Sequence, residues 1–200
     1  MNIEMNETYA RDTSTVWEHE IINSASDLKE WIKYEGAKYP KRTLVGGGVF
    51  PLTENDAIFK YQKRLRKTEY YLNTGKKWMY YLSLVKLNRL RFKYGMKVRL
   101  NSCGKGLCIV HLGSIITNGD VGEDARLFVN SAIVSNGGGE REPRLGNHVT
   151  LFTNAVVCGD VKIGNNNIIG ANSVVTKNFE ESNIIIAGTP AKKIKNRLLE

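Results

Sequence analysis

Leu145-Gly146-Asn147-His148-Val149-Thr150-Leu151-Phe152-Thr153-Asn154-Ala155-Val156-Val157 carries an aliphatic side chain at every sixth position. Stepping by six in both directions extends Leu145, Leu151 and Val157 back to Ile109, Ile115, Val121, Leu127 and Ile133. Forward, the series runs on to Ile163, Ile169 and Val175. Only Gly139 interrupts it. A helix repeats its apolar positions about every 3.6 residues and a half-buried strand every two, so neither produces this period. A fixed internal period sets the fold and is read before anything else.

A short strand and a tight turn together use about six residues, and three such units close a triangular coil of about 18 residues. Stacked coils pair as parallel strands, with every sixth side chain pointing into the prism. β-Branched aliphatics suit that position, and turns need small residues or ones that tolerate positive φ. Gly122, Gly146, Gly164 and Gly170 follow inward aliphatics, and Asn147 and Asn165-Asn166-Asn167 supply further turn chemistry. Gly139 falls within Ser135-Asn136-Gly137-Gly138-Gly139-Glu140-Arg141-Glu142-Pro143, which cannot line a prism. That stretch is read as a projecting loop, the kind of segment in which function concentrates.

The first half has helical grammar instead. A capping region at Ser24–Asp27 precedes Leu28, Trp31 and Ile32. The glycine-rich stretch from Thr43 to Thr53 ends that pattern. Thr53 or Asn55 can cap a second helix to about Leu72, and a third runs from Trp78 to Tyr94 with Gly95 placed to end it. The expected organisation is an α-helical region, 1–95, followed by a β-helix, 96–200, closed by a strand and a short helix.

The 200 residues are 42% apolar, enough to bury a core, and carry a net charge of +9. No run of about 18 apolar residues suggests a membrane span, and polar Met1 to Glu20 argues against a secretory signal. Three cysteines, Cys103, Cys108 and Cys158, have neither metal spacing nor an even count, so a reducing cytoplasmic setting is expected. The basic run Lys60, Lys63, Arg64, Arg66 and Lys67 is compatible with nucleic acid. No aromatic-rich strand or nucleic-acid motif accompanies it, so it reads as a solvated or subunit-packed helix face.

Three stretches carry a family likeness: Gly106-Leu107-Cys108-Ile109-Val110-His111, Ile169-Gly170-Ala171-Asn172-Ser173-Val174-Val175-Thr176-Lys177 and Ile186-Ala187-Gly188-Thr189-Pro190-Ala191-Lys192. Over about residues 95–197 the sequence resembles the hexapeptide-repeat acyltransferases, in particular the serine acetyltransferase branch. Phe59 to Tyr71 is similar to a segment common in capsule-locus members. The resemblance implies a left-handed parallel β-helix, a handedness opposite to the general rule for parallel crossovers. It also implies a homotrimer or a dimer of trimers, with acetyl-CoA between neighbouring prisms as co-substrate and no metal.

By that resemblance His111 is the catalytic base. Taking the proton from a hydroxyl as its oxygen attacks a thioester suits an imidazole. Thr153, Ala171, Thr176 and Lys177 match positions that hold the pantetheine arm and nucleotide. Lys192 and Lys195 match basic positions near the 3′-phosphate, as point charges rather than bidentate forks. His148 falls at a turn and reads as structural, and the two repeat-borne histidines do not make a zinc site.

The pattern also departs from the family. An Asp directly before the histidine is replaced by Val110, and Met96-Lys97-Val98-Arg99 lacks the carboxylate that orients the histidine from one coil earlier. The family's Arg-His-Pro reads Arg141-Glu142-Pro143, which keeps Arg141 as an anion contact and puts Glu142 where it could orient His111 or hold a hydroxyl. Without the Asp before His111 an amino group loses a partner. The expected acceptor is therefore a sugar hydroxyl in capsule or lipopolysaccharide synthesis. Serine O-acetylation in cysteine biosynthesis is the alternative, and a non-catalytic β-helix that binds a saccharide or partner is a second. The basic N-terminal half is also compatible with peripheral contact to an anionic membrane.

Overall fold

The computed structural model describes residues 19–39, 52–137 and 142–198. The glycine-rich stretch from 43 to 51, the interrupting Gly139 and the candidate Arg141 lie outside them. Three helices come first: α1 (Ala25–Ala37), α2 (Glu54–Asn73) and α3 (Lys77–Tyr94). Capping boxes start α1 and α2. Ser24 and Thr53 each accept a bond from the backbone N–H three residues on, and Asp27 and Asp56 return one to the cap. Gly95, at φ 71°, ends α3 in the left-handed conformation.

Parallel coils follow. The first holds β1 (Met96–Val98) and β2 (Cys108–Val110). The second holds β3 (Ile115–Thr117), β4 (Asp120–Val121) and β5 (Arg126–Phe128), and the third β6 (Ala132–Val134), β7 (Arg144–Leu145) and β8 (Thr150–Leu151). The fourth holds β9 (Val156–Cys158), β10 (Lys162–Ile163) and β11 (Ile168–Ile169). β12 (Val174–Val175) and β13 (Ile184–Gly188) finish the prism, and β14 (Ala191–Asn196) closes it. The strands sort into three sheets: β1-β3-β6-β9-β12, β4-β7-β10, and β2-β5-β8-β11-β13-β14. We call these the first, second and third faces; the chain visits them in that order on every coil.

The register explains the six-residue count. Ile109 pairs with Leu127 and Leu151 with Ile169, each 18 residues apart, whereas Leu127 pairs with Leu151 across 24. The insertion before β7 is therefore six residues long, which kept the count in phase through Gly139. Every described position of the series is buried. One position is not what the count suggests. Ile115 pairs with Met96, and it is Thr117 that stands opposite Ile133. The turn after β2 is two residues longer than the turns after β5, β8 and β11, and the next turn is two shorter. At another corner, glycine is required by a close approach. A Cβ on Gly146 would lie 2.3 Å from the Asn165 side-chain oxygen, which instead accepts from the Asn147 N–H at 2.8 Å.

The helices cover the open end of the prism. The first coil has no coil beneath it, so its backbone groups need other partners. Tyr61 accepts from Val98 N–H, Tyr39 accepts from Ile109 N–H, Gln62 donates to Leu107 O, and Arg91 donates to Val98 O. Arg66 and Glu35 complete the set. All five guanidinium N–H donors of Arg66 are used: on Glu35, on Glu69 (2.9 Å) and on the carbonyls of Cys103 (2.9 Å) and Gly104 (2.7 Å). Glu35 also accepts from Gly106 N–H, and Trp31 lies 4.8 Å from the guanidinium. Arg66 is thus not part of a solvated basic face; it is fully enclosed. One hydrophobic core runs from Ile58 and Leu65 of α2 through the prism to Ile186.

The C-terminal end also differs from expectation. Ala191–Asn196 is a strand antiparallel to β13, not a short helix. The free edge of β13 offers unpaired backbone groups, and the turn at Gly188 folds the chain back to meet them.

Burial fixes the cysteine chemistry. Cys103 is enclosed and its thiol is pushed up to about 12 by desolvation. Thiol labelling of the native protein at neutral pH is expected at half-buried Cys158 first. Cys103 and Cys108 should react only on unfolding. Mass spectrometry of the labelled protein reads this, and early labelling of Cys103 would contradict the packing.

Candidate active site

The turn between the third and first faces carries His111. Its φ of 69° is uncommon for a residue with a Cβ, and the two extra residues of this corner push the imidazole outward. Its side chain is 62% exposed. Nδ1 lies 3.1 Å from Oε2 of Glu54, the first residue of α2. Oε1 of Glu54 accepts from the Leu112 N–H at 2.7 Å. These contacts hold the Glu54 carboxyl below its usual value, the Leu112 N–H contributing most and His111 next, against partial burial. An ionised Glu54 accepts a hydrogen bond from Nδ1–H, which keeps the ring proton on Nδ1 and leaves the Nε2 lone pair as an acceptor. That arrangement can take a proton from a nearby hydroxyl.

The same edge of the prism carries other expected residues. His111, Val129, Thr153 and Ala171 follow the strands of the third face on successive coils. With coils about 4.8 Å apart, Thr153 and Ala171 stand roughly 10 and 14 Å along the edge from His111. Asn172 N–H donates to Thr153 O, Asn154 and Asn172 pair side chain to side chain, and Thr189 donates to Asn172 O. On the outer side of the third face, Phe128 and Phe152 stack 4.7 Å apart beside this edge.

Other expected residues lie elsewhere. Glu142 lies between β6 and β7, on the edge between the first and second faces. It pairs with Arg99, which also holds Asp120 at 3.0 Å. Thr176 and Lys177 follow β12 on that same edge and are exposed. Lys192 and Lys195 are exposed on β14. His148 is on the third edge, 3.7 Å from Asp124, which also holds Tyr34 and Lys38 of the α1 region. Within one chain, then, the carboxylate beside His111 is Glu54 and not Glu142. In the sequence Glu54 reads as the first residue of a helix, and nothing near it in the chain links it to His111. Among the described residues, no group of three His, Cys, Asp or Glu side chains comes together as a metal site would require.

Residues 142–177 match the bacterial transferase hexapeptide family (six repeats). A search of curated proteins gives no match. Among solved structures, the serine acetyltransferase of Neisseria gonorrhoeae superimposes with a TM-score of 0.66 at 22% identity, over 88% of this chain and 70% of its own. The soybean serine acetyltransferase apoenzyme gives 0.68 at 19%, over 84% and 69%. That of Brucella abortus, in complex with coenzyme A, gives 0.64 at 19%, over 88% and 71%. The chain therefore carries hexapeptide repeats over residues 142–177 and has the fold of a left-handed β-helix behind a helical N-terminal region. Its fold resembles that of these solved serine acetyltransferases over about 70% of their length.

Proposed function

We propose that the protein is an acetyl-CoA-dependent O-acetyltransferase with His111 as general base. The observation that carries this is the His111–Glu54 pair at the foot of an edge whose higher coils bear Thr153 and Ala171. Acetyl-CoA bound along that edge would place its thioester at His111. The acceptor hydroxyl gives its proton to Nε2 while its oxygen attacks the thioester carbonyl. The tetrahedral adduct then collapses, the acetyl group stays on oxygen, and the thiolate leaves and takes the proton back from the imidazolium.

Two acceptors remain, each with its own support. The solved neighbours are serine acetyltransferases, one of them crystallised with serine. That weighs toward L-serine. Glu54 also supplies a carboxylate that the sequence beside His111 lacks, and an ammonium group could use it. Toward a sugar hydroxyl weigh Val110, apolar where the family has Asp, and the commitment of both Glu54 oxygens to His111 and Leu112. Glu142 lies on a different edge, so it can reach His111 only from a neighbouring copy, which accords with a homotrimer. Thiol release from acetyl-CoA with L-serine, nucleotide sugars and oligosaccharides separates the readings. Acetyl-CoA binding with no turnover on any acceptor would leave a binding module.

The pair makes its own prediction. In Glu54→Gln the amide can still accept from Leu112, but its NH2 donates toward Nδ1. That places the imidazole proton on Nε2, where the base is needed. A fall in kcat of roughly a hundredfold is expected, with KM for acetyl-CoA little changed and Glu54→Asp partly active. An unchanged kcat would remove Glu54 from the mechanism.

A further inference from the structure

We infer that the outer face of α3 docks on an anionic lipid bilayer. This inference does not depend on the acceptor. Residues 70–119 contain nine Lys and Arg and no Asp or Glu. Removing these nine from the chain's 29 cations leaves twenty, equal to its 20 anions, so the whole net charge of +9 resides in this stretch. Most of its exposed residues lie on α3, which has no acidic residue.

The helix is apolar on both sides. Ser83 and Leu87 face the core, while Trp78, Leu82, Val85 and Phe92 form an outer stripe, exposed by 85%, 60%, 55% and 87%. Their spacing of four, three and seven residues keeps them on one side of the helix. Met79 and Tyr81 widen the stripe. Lys77, Lys86, Arg89 and Lys93 are exposed alongside. An exposed apolar stripe on a helix wants cover, and nothing among the described residues covers this outer one. No helix among the described residues is long and apolar enough to cross a membrane.

The composition selects the partner. Trp, Tyr, Phe and Leu between Lys and Arg is the pattern of a helix lying in a bilayer interface, where rings enter the headgroup boundary and cations meet anionic lipid. Two such faces brought together about a two-fold axis would oppose like charges. Nucleic acid would leave the large apolar groups at the centre of the stripe without a partner. The helix is about 27 Å long, so its stripe can lie flat on a surface.

The test is co-sedimentation of the full chain with phosphatidylcholine vesicles and with mixed phosphatidylcholine–phosphatidylglycerol vesicles. Binding to the mixed vesicles alone is expected, weakened by salt. Trp78→Ser/Phe92→Ser and Lys86→Glu/Arg89→Glu should each lower it about tenfold or more. Both pairs are solvent-facing, so thermal melting should be unchanged. Failure of the unaltered protein to bind mixed vesicles, or binding indifferent to both double variants, would overturn the proposal. So would an oligomer that Trp78→Ser/Phe92→Ser dissociates without any vesicle binding, which would assign the face to another copy.

Discussion

His111→Asn is expected to lower kcat by a factor on the order of 10²–10⁴ while leaving the melting temperature almost unchanged. The two effects separate because of where the residue sits. His111 occupies a positive-φ corner, which asparagine tolerates better than alanine does. Its side chain is mostly in solvent, so little packing is lost. What disappears is an acceptor able to take a full proton at neutral pH. Steady-state thiol release beside a thermal melt reads both quantities. A variant that retains near-normal turnover would show that His111 is only a corner residue.

The second large effect concerns stability. Arg66→Met is expected to destabilise the protein by about 3–5 kcal/mol, the range for removing one partner from a buried ionic cluster. The change leaves Glu35 and Glu69 enclosed without a cation, and the carbonyls of Cys103 and Gly104 without donors. Arg66→Lys should recover little, because one ammonium cannot reproduce five donors in a planar fork. Burial already raises the pKa of Glu69, against the pull of Arg66. A carboxyl with a raised folded pKa stabilises at low pH and loses that contribution as pH rises through the folded value. Without Arg66 the pKa rises further, so the deficit should be largest at neutral pH and shrink as the solution is acidified. Denaturant melts at neutral and mildly acidic pH test both points. A loss under about 1 kcal/mol would mean that the cluster can be replaced by apolar packing.

The sequence carries some of this plainly and hides the rest. Side chains that point into a prism obey one rule on every coil, so Ile109 to Val175 announce the fold. Helix caps are local, so Ser24, Thr53 and Gly95 are legible from a few neighbours. Thr117 is not: counting by six selects Ile115, because the long corner at His111 and the short one after it compensate. Glu54 and His111 are 57 residues apart, and a carboxylate at a helix start reads first as a cap. Arg66 looks like its solvated neighbours Lys63 and Lys67 until the open end of the prism is seen to need its donors. Ala191–Asn196 forms a strand rather than a short helix because the edge of β13 is there to pair with it. For Glu54 and Arg66 the missing information is a contact between elements distant in the chain.

The central claim is that the edge from His111 past Thr153 to Ala171 is where acetyl transfer occurs. A crystal structure of the protein with coenzyme A tests it most directly. The pantetheine arm is expected along that edge, with its sulfur beside Nε2 of His111. Coenzyme A bound on another edge, with His111 left in solvent, would contradict it.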